Sequence, residues 1–405
     1  MIPKLRFKEF SGEWGLTSIK DALHDAKLGG NIDNSPIGTG TPLIKMGNLG
    51  RGAIQMDKIF YTTSPNENLD EYLLETGDLL FNTRNTLELV GKVSIWRGEI
   101  EHALYNSNIL RLKFKNNWFW NHLLNTPRSL NQLRRIATGT TSVAAIYSRD
   151  LYKLKFYECQ YSEQQKIANF LELVNVKINI LSKKKEALET YKKGLMHKIF
   201  SQELRFKRED GTDYPMWERV TLNDIVRSNI RYGIVQPGEF AVDGMILIRG
   251  VDYMKGWNDI GNFFRVSETI ESKYRKARVK NGDLLVSIVG TPGKAVIVPD
   301  YIKEANITQT TARVPLKEDQ SEIFYQEQIN DYRIQKAIAH LIKGAAQPGI
   351  NVEDVKNLKV FMPSKEEQKQ LEKMFDLLNK RIIAIENQIH LSIDLKKGLL
   401  QQMFV

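Results

Sequence analysis

From Glu163 to Phe200, apolar residues recur on alternating steps of three and four: Ile167, Leu171, Val174, Ile178, Leu181, Leu188, Leu195 and Ile199, with Lys185 and Lys192 at the two remaining steps. Shifted by 204 residues, the same positions read Leu371, Phe375, Leu378, Ile382, Ile385, Ile389, Ser392, Lys396, Leu399 and Met403. A 3.5-residue period sustained over this length argues for a coiled-coil seam. No proline interrupts either segment. Ser162 with Gln165, and Ser364 with Glu367, stand at the capping-box spacing and are expected to open the two helices. The pattern predicts helices over about 163–200 and 367–404, each roughly 57 Å long at about 1.5 Å per residue.

Outside these segments the pattern changes to short apolar runs bounded by Gly, Pro and Asn, which read as strands. They fall at 41–45, 78–81, 92–96 and 108–112 in the first half, and at 245–249, 283–286, 295–298 and 311–314 in the second. A helical stretch follows in each half, near 118–136 and 322–343, and each stretch runs on to a glycine, Gly139 or Gly344.

The two halves repeat one another. Lys193-Gly194-Leu195 returns as Lys397-Gly398-Leu399, Phe200 as Phe404, Glu163-Gln164 as Glu367-Gln368, and Leu154-Lys155 as Leu358-Lys359. With small changes of offset, Gly77-Asp78-Leu79-Leu80 returns as Gly282-Asp283-Leu284-Leu285, Leu5-Arg6-Phe7 as Leu204-Arg205-Phe206, and Trp14 as Trp217. A period of half the chain denotes a duplicated domain rather than a solenoid of short repeats. The predicted organisation is a first globular domain over 1–153, a repeated region over 154–203, a second globular domain over 204–357 and a repeated region over 358–405. The helical segments match without a gap, whereas the globular parts share only a skeleton of glycines and strand cores. Either the globular parts have diverged toward different tasks, or surface loops have simply drifted faster than scaffold.

The expected fold class is α+β: two duplicated α/β domains joined by two long helices that form an antiparallel intramolecular coiled coil with pseudo-twofold symmetry. Antiparallel pairing brings Phe404-Val405 back near Met1. Leu5-Arg6-Phe7 then follows the second helix in space as Leu204-Arg205-Phe206 follows the first in sequence. Two copies dimerising through four helices is the competing arrangement. Lys192 and Lys396 occupy the same seam position, where they snorkel or fix register.

Composition narrows the function. Among 405 residues, 58 Lys+Arg against 48 Asp+Glu leave a formal charge of +10, which suits a polyanionic partner such as nucleic acid. One cysteine, Cys159, excludes an intrachain disulfide and a cysteine-based zinc cluster. The N-terminus lacks a signal-peptide pattern and no apolar run reaches eighteen residues, so a cytoplasmic protein without a membrane span is expected.

A search for catalytic chemistry returns nothing. The six histidines show no ligand-like spacing. Around Gly293-Lys294, the phosphate-loop pattern fails because Ile288 and Ala295 stand where Gly and Ser/Thr are needed. No G-x-G-x-x-G follows a strand. Asp78 and Asp283, in the repeated Gly-Asp-Leu-Leu turn, read as turn residues. The chain is therefore expected not to be an enzyme and to hold no metal. Beside the strand runs lie Lys45, Asn82, Thr83, Arg84 and Lys92 in the first half, and Arg249, Ser287, Thr291 and Lys294 in the second. These residue types reach phosphates and base edges, and they are the candidate DNA contacts, with a solvated surface as the alternative for each. Asn106 and Asn306 read as turn residues, and Lys183-Lys184-Lys185 as a solvated helix face.

Each half thus ends in a glycine loop, a Leu-Lys strand, Glu-Gln opening a long helix, and Lys-Gly-Leu. In this order the chain resembles, over its whole length, the DNA-specificity (S) subunits of type I restriction–modification systems. Glu158-Cys159-Gln160-Tyr161 departs from the prolines that usually precede Glu-Gln in that family, whereas Pro363 keeps one. The resemblance implies that each globular half is a target-recognition domain reading one half of a bipartite, asymmetric site in double-stranded DNA. It implies that the helices set the spacer and dock two modification (methyltransferase) subunits. The seam residues Ile167, Leu171, Val174, Ile178, Leu181, Leu188, Leu195, Leu371, Phe375, Leu378, Ile382, Ile385, Ile389 and Leu399 would serve pairing and docking. It further implies that S-adenosylmethionine, ATP and Mg belong to modification and restriction (motor/nuclease) subunits that methylate adenine and cleave DNA in phage defence. The rival readings are a coiled-coil scaffold or architectural nucleic-acid binder without sequence choice, and a self-contained nuclease or methyltransferase.

Overall fold

The computed structural model describes residues 1–63, 69–254, 256–257, 260–344 and 348–405. The chain forms two compact units, Met1–Ser182 with Asn387–Val405, and Lys183–Glu386. Two long helices, Tyr161–Phe200 and Lys365–Met403, each contribute a segment to both units.

In the first unit, strands Leu23–Leu28, Ile109–Phe114, Leu79–Asn82 and Val93–Ile95 form an antiparallel sheet in that spatial order. A second sheet joins Asn34–Ser35, Phe60–Thr62, Pro42–Ile44 and Leu104–Tyr105, the last pair parallel. Gly15–Ser18 pairs with Lys155–Glu158 just before the long helix begins. The second unit repeats the plan with Arg231–Tyr232, Thr311–Val314, Leu284–Ser287 and Ala295–Ile297, with Phe264–Val266, Met245–Ile248 and Asn306–Ile307, and with Glu218–Thr221 against Lys359–Met362. All eight predicted strand runs lie on observed strands.

The predicted helical stretches are each broken in two. Asn117–Leu124 gives way to Pro127–Ile136 because Pro127 cannot continue the first helix and instead opens the second, with Thr126 Oγ1 accepting the Ser129 N–H. Glu322–Ile329 and Tyr332–Leu341 divide at Asp331, whose carboxylate accepts the Arg333 N–H at 3.0 Å.

Within each unit the long helices pack together along the seam. In the first, Ile167 and Leu171 share a core with Leu399 and Met403. In the second, Lys185 reaches Glu386 at 2.9 Å and Lys192 reaches Asn379 at 2.7 Å, so one helix retreats seven residues while the other advances seven. That is antiparallel pairing. Every heptad position, lysines included, is buried or half-buried. Lys192 is held at the seam by Glu327 at 2.6 Å, and Lys396 lies beside Glu172 and Arg97.

The duplicated residues hold each helix to its domain. Arg6 grips Glu163 with two hydrogen bonds of 2.7 Å, and Trp14 Nε1 donates to the same carboxylate. Arg205 grips Glu367 at 3.2 and 2.8 Å, and Trp217 Nε1 donates to it at 2.8 Å. Both carboxylates are fully buried. Trp14, Phe119 and Phe404 form one aromatic cluster, and Trp217, Phe324 and Phe200 form its copy. This use of the glutamates corrects the capping-box expectation. Ser162 lies inside the first turn, where Gln160 O accepts from Glu163 and Gln164. Ser364 does cap the Glu367 N–H at 3.3 Å, but the Glu367 carboxylate is already engaged and does not reach back.

Chain closure follows the expected path. Leu5 N–H donates to Gln402 O at 2.9 Å, as Leu204 N–H donates to Lys198 O at 3.1 Å. Gly77 and Gly282 turn with φ of +95° and +79°, which favours glycine. Asp78 and Asp283 accept the backbone N–H groups of Glu75 and Lys280 and pair with Arg111 and Arg313, a structural task in both copies.

Candidate nucleic-acid interface

Asn82, Thr83, Arg84 and Lys92, like Ser287, Thr291 and Lys294, lie at the turn between two neighbouring antiparallel strands, whereas Lys45 and Arg249 each follow a strand of another sheet. Asn82 and Ser287 are buried. Asn82 Oδ1 accepts the Arg84 N–H at 3.1 Å and Ser287 Oγ donates to Val289 O at 3.2 Å, so both satisfy backbone groups and leave the surface set. Arg249 spends its guanidinium on Asp252 at 3.0 Å and lies over the Phe264 ring. Lys45 donates to Asn34 Oδ1 at 3.0 Å and sits 4.0 Å from the Phe60 ring centroid, and Thr83 donates to Asn108 O. Arg84, Thr291 and Lys294 remain exposed, and Lys92 is half-buried without an ion pair.

Lys92 is not isolated. Its neighbour Gly91 turns with φ +72° and packs so close to Leu133 that a Cβ there would lie 3.4 Å from the Leu133 Cβ. Leu133 precedes Arg134 on the helix Pro127–Ile136. Arg51 stands between Gly50 and Gly52, and the Gly52 N–H bonds Val93 O at 2.7 Å. Backbone packing thus brings Arg51, Lys92 and Arg134 together. Burial and the Arg134 charge push Arg51 below its ordinary range, and burial with the Arg51 charge does the same to Lys92. Arg51 donates to the Glu88 carbonyl at 3.1 Å. Three like charges held against one another define a place suited to an anion. Sequence reading found Lys92 but missed Arg51 and Arg134. The Gly-Arg-Gly triplet was the one available signal.

Beside this cluster, the strand Arg84–Asn85 pairs with Ala144–Ala145, which pairs with Thr138–Gly139. The tip between them, Thr140, Thr141, Ser142 and Val143, is exposed. Gly139 allows the hairpin through φ +127°, and a Cβ there would come within 2.3 Å of Val143 O. In the second unit, Lys343 and Val289 each bridge Gly349, and Gly344 has φ +88°.

Among the described residues no group of three or more His, Cys, Asp or Glu could hold a metal, and no helix is long and apolar enough to cross a membrane. The seam residues are buried or half-buried. Apolar side chains exposed on the helices lie elsewhere and include Phe170, Leu173 and Leu395 in the first unit, and Tyr191, Leu377 and Ile383 in the second. Tyr191 and Leu377 line a groove with Leu204 and Met374.

Two copies of one α+β domain, each anchored on a helix pair and carrying exposed cations at its loops, define a protein built by duplication with residue types that suit nucleic acid. A family model described as the type I restriction modification DNA specificity domain matches residues 196–395. The provisionally assigned specificity subunit of the type I restriction enzyme MjaX of Methanocaldococcus jannaschii is 26% identical over 399 residues, which span 96% of this chain and 90% of that one. The EcoBI specificity subunit of Escherichia coli is 31% identical over 177 residues, or 43% of this chain and 37% of that one. The S subunit of a type I system from M. genitalium shares the fold, with a TM-score of 0.65 at 18% identity over 100% of this chain and 99% of that one. A chain from a structure of type I system assembly and conformational transition matches at 0.54 and 15% identity over 98% of both. Residues 196–395 thus match the type I DNA specificity domain, and along its length and in its fold the chain is similar to specificity (S) subunits of type I restriction–modification systems, which are non-catalytic.

Proposed function

We propose that each unit reads one half of a bipartite, asymmetric DNA site, and that the paired helices fix the spacer and dock two modification subunits. The observation that carries this reading is the uneven duplication. Arg6, Trp14 and Glu163 are matched by Arg205, Trp217 and Glu367 in identity and bonding, and Gly91-Lys92 by Gly293-Lys294, whereas Arg51, Arg84 and Arg134 have no such copy. A shared scaffold with unlike reading surfaces suits unlike half-sites. Arg84, Lys92, Arg51 and Arg134 would serve the first half-site, and Thr291 and Lys294 the second. Because the seam side chains are covered, docking falls to the exposed apolar residues Phe170, Leu173, Leu395, Tyr191 and Leu377. S-adenosylmethionine, ATP and Mg would be held by the modification and restriction partners, and the assembly would act in the cytoplasm.

The test is a genome-wide adenine-methylation map of the host with and without this gene. Loss of one asymmetric, bipartite motif supports the reading and supplies both half-sites. Retention of every motif, with the gene expressed, favours an architectural binder without sequence choice.

A further inference from the structure

At one place in the fold the two units carry opposite charge. In the first, Lys27 on an edge strand stands opposite Arg111, forms a 2.5 Å ion pair with Glu71 and lies 5.1 Å from the Tyr72 ring centroid. Glu71 belongs to the short turn Asp70–Tyr72, which leads into Leu74, whose N–H bonds Ala103 O. In the second, Arg231 on the edge strand stands opposite Arg313. The turn Ser272–Ala277 leads into Val279, whose N–H bonds Ala305 O. Arg111 and Arg313 are equivalent, since each pairs with the aspartate of the repeated Gly-Asp-Leu-Leu. Arg231 therefore stands where Lys27 does, and Arg275-Lys276 stands where Asp70-Glu71 does. Base has replaced the neutralising acid.

Arg231, Tyr232, Lys273, Tyr274, Arg275 and Lys276 line one open cleft of the second unit. Among the described residues, none of its four cations has a side-chain hydrogen bond or an ion pair. Glu271, on which Arg275 acts at longer range, is already held by Arg278 at 2.6 and 2.7 Å and by Asn306. Like charges collected in a concavity repel one another until a polyanion neutralises them. The charged and hydroxyl donors of the cleft match phosphate oxygens. It offers neither the amide that pairs with an adenine edge nor the carboxylate that accepts from cytosine, so guanine is the one base its cations fit, and a change in the second half-motif would reveal that.

We propose that this cleft clamps the phosphate backbone of DNA and fixes how the second unit sits on the duplex without reading its bases. The inference rests on the reading of that unit as a DNA reader. It makes backbone contacts unequal between the halves, because the first unit carries an internal ion pair at the same place.

The test uses the full chain carrying Lys273→Gln, Arg275→Gln and Lys276→Gln together. Binding to a labelled duplex of random sequence is followed by fluorescence anisotropy across a potassium chloride series. The expected result is a fall of about 2.7 in the slope of log affinity against log salt, since each of three phosphates no longer neutralised lowers the slope by about 0.9. The motif enriched from a random DNA pool by the complex with its methyltransferase should stay unchanged, and Lys27→Gln should leave the salt slope as it was. An unchanged slope in the triple variant overturns the clamp. So does a changed second half-motif, which would make the cleft a base reader. A wild-type complex that enriches no motif sinks the proposed function instead, while the slope still decides the clamp.

Discussion

Arg6 and Glu163, 157 positions apart, form a two-pronged ion pair that ties the N-terminal segment to the first turn of the helix Tyr161–Phe200. Arg205 and Glu367 repeat it in the second unit. Glu163 is fully buried, and its hydrogen bond with Arg6 raises the guanidinium above its ordinary range. Glu163→Gln leaves a mostly buried cation without its counter-charge, a change that costs about 3 kcal/mol. Urea unfolding should show a loss of that order, with a similar loss for Glu367→Gln. If both variants unfold at the wild-type midpoint, the pairs are ornaments of the duplication rather than its anchors.

The helix register and the strand skeleton were legible because each rests on a local period. Every heptad position is buried or half-buried, and the apolar runs mark the sheet cores. The candidate contacts were less legible for a physical reason. Leu79–Asn82 and Leu284–Ser287 are buried at all four positions, so no alternation warned that Asn82 and Ser287 point into the fold. Repetition flagged Arg6, Trp14 and Glu163 as important but could not show that they bond one another. Arg51 and Arg134 lie far apart in sequence, and they reach Lys92 only through the Gly52–Val93 hydrogen bond and the packing of Gly91 on Leu133.

The hydrogen bond from Leu5 N–H to Gln402 O has its copy between Leu204 N–H and Lys198 O, where the chain is continuous. A circular permutant should therefore fold. It would start at Leu204, join Val405 to Met1 through a short flexible linker, and end at Glu203. The expected outcome is cooperative thermal unfolding within a few degrees of the parent, because the same backbone hydrogen bond holds Leu5 to Gln402 without a direct chain connection between them. Loss of cooperative unfolding would show that continuity at Glu203-Leu204, and not the repeated packing, holds the helix end.

The first unit should be more acid-sensitive than its twin. His122 is buried and faces Glu172 Oε1 at 3.0 Å, while Arg97 holds the same carboxylate at 2.9 Å. Lys396 adds a second cation, lowered by its own burial. Burial pushes His122 below its ordinary 6.5, against the opposing pull of Glu172. Burial raises Glu172, but the His122 hydrogen bond and the Arg97 charge outweigh it and bring the carboxyl to about 2. A lowered folded pKa means that the unfolded chain binds more protons, so stability rises with pH. The Glu172 contribution is complete above 4.5 and lost as pH falls toward about 2, whereas loss through His122 begins as pH drops through 6.5. Between about pH 7 and 5, His122→Gln should flatten the decline in urea midpoint seen in the parent. An equal decline in both proteins would place the sensitive group elsewhere.

Arg134 offers the clearest separation of binding from stability. Its charge disfavours the charged form of Arg51, and Arg51 does the same to Lys92, so the free protein bears a repulsion that only an anion relieves. Arg134→Gln should therefore leave the free chain as stable as the parent or slightly more so, with the gain fading as salt screens the charges over about 10 Å at 0.1 M. DNA affinity should fall at the same time, and the salt slope should drop by about 1 if Arg134 neutralises one phosphate. Thermal unfolding at low and high salt, beside anisotropy titrations with duplex DNA, reads both effects on one preparation. A variant that loses stability and keeps its affinity would make Arg134 a structural residue and dissolve the cluster as a DNA-binding surface.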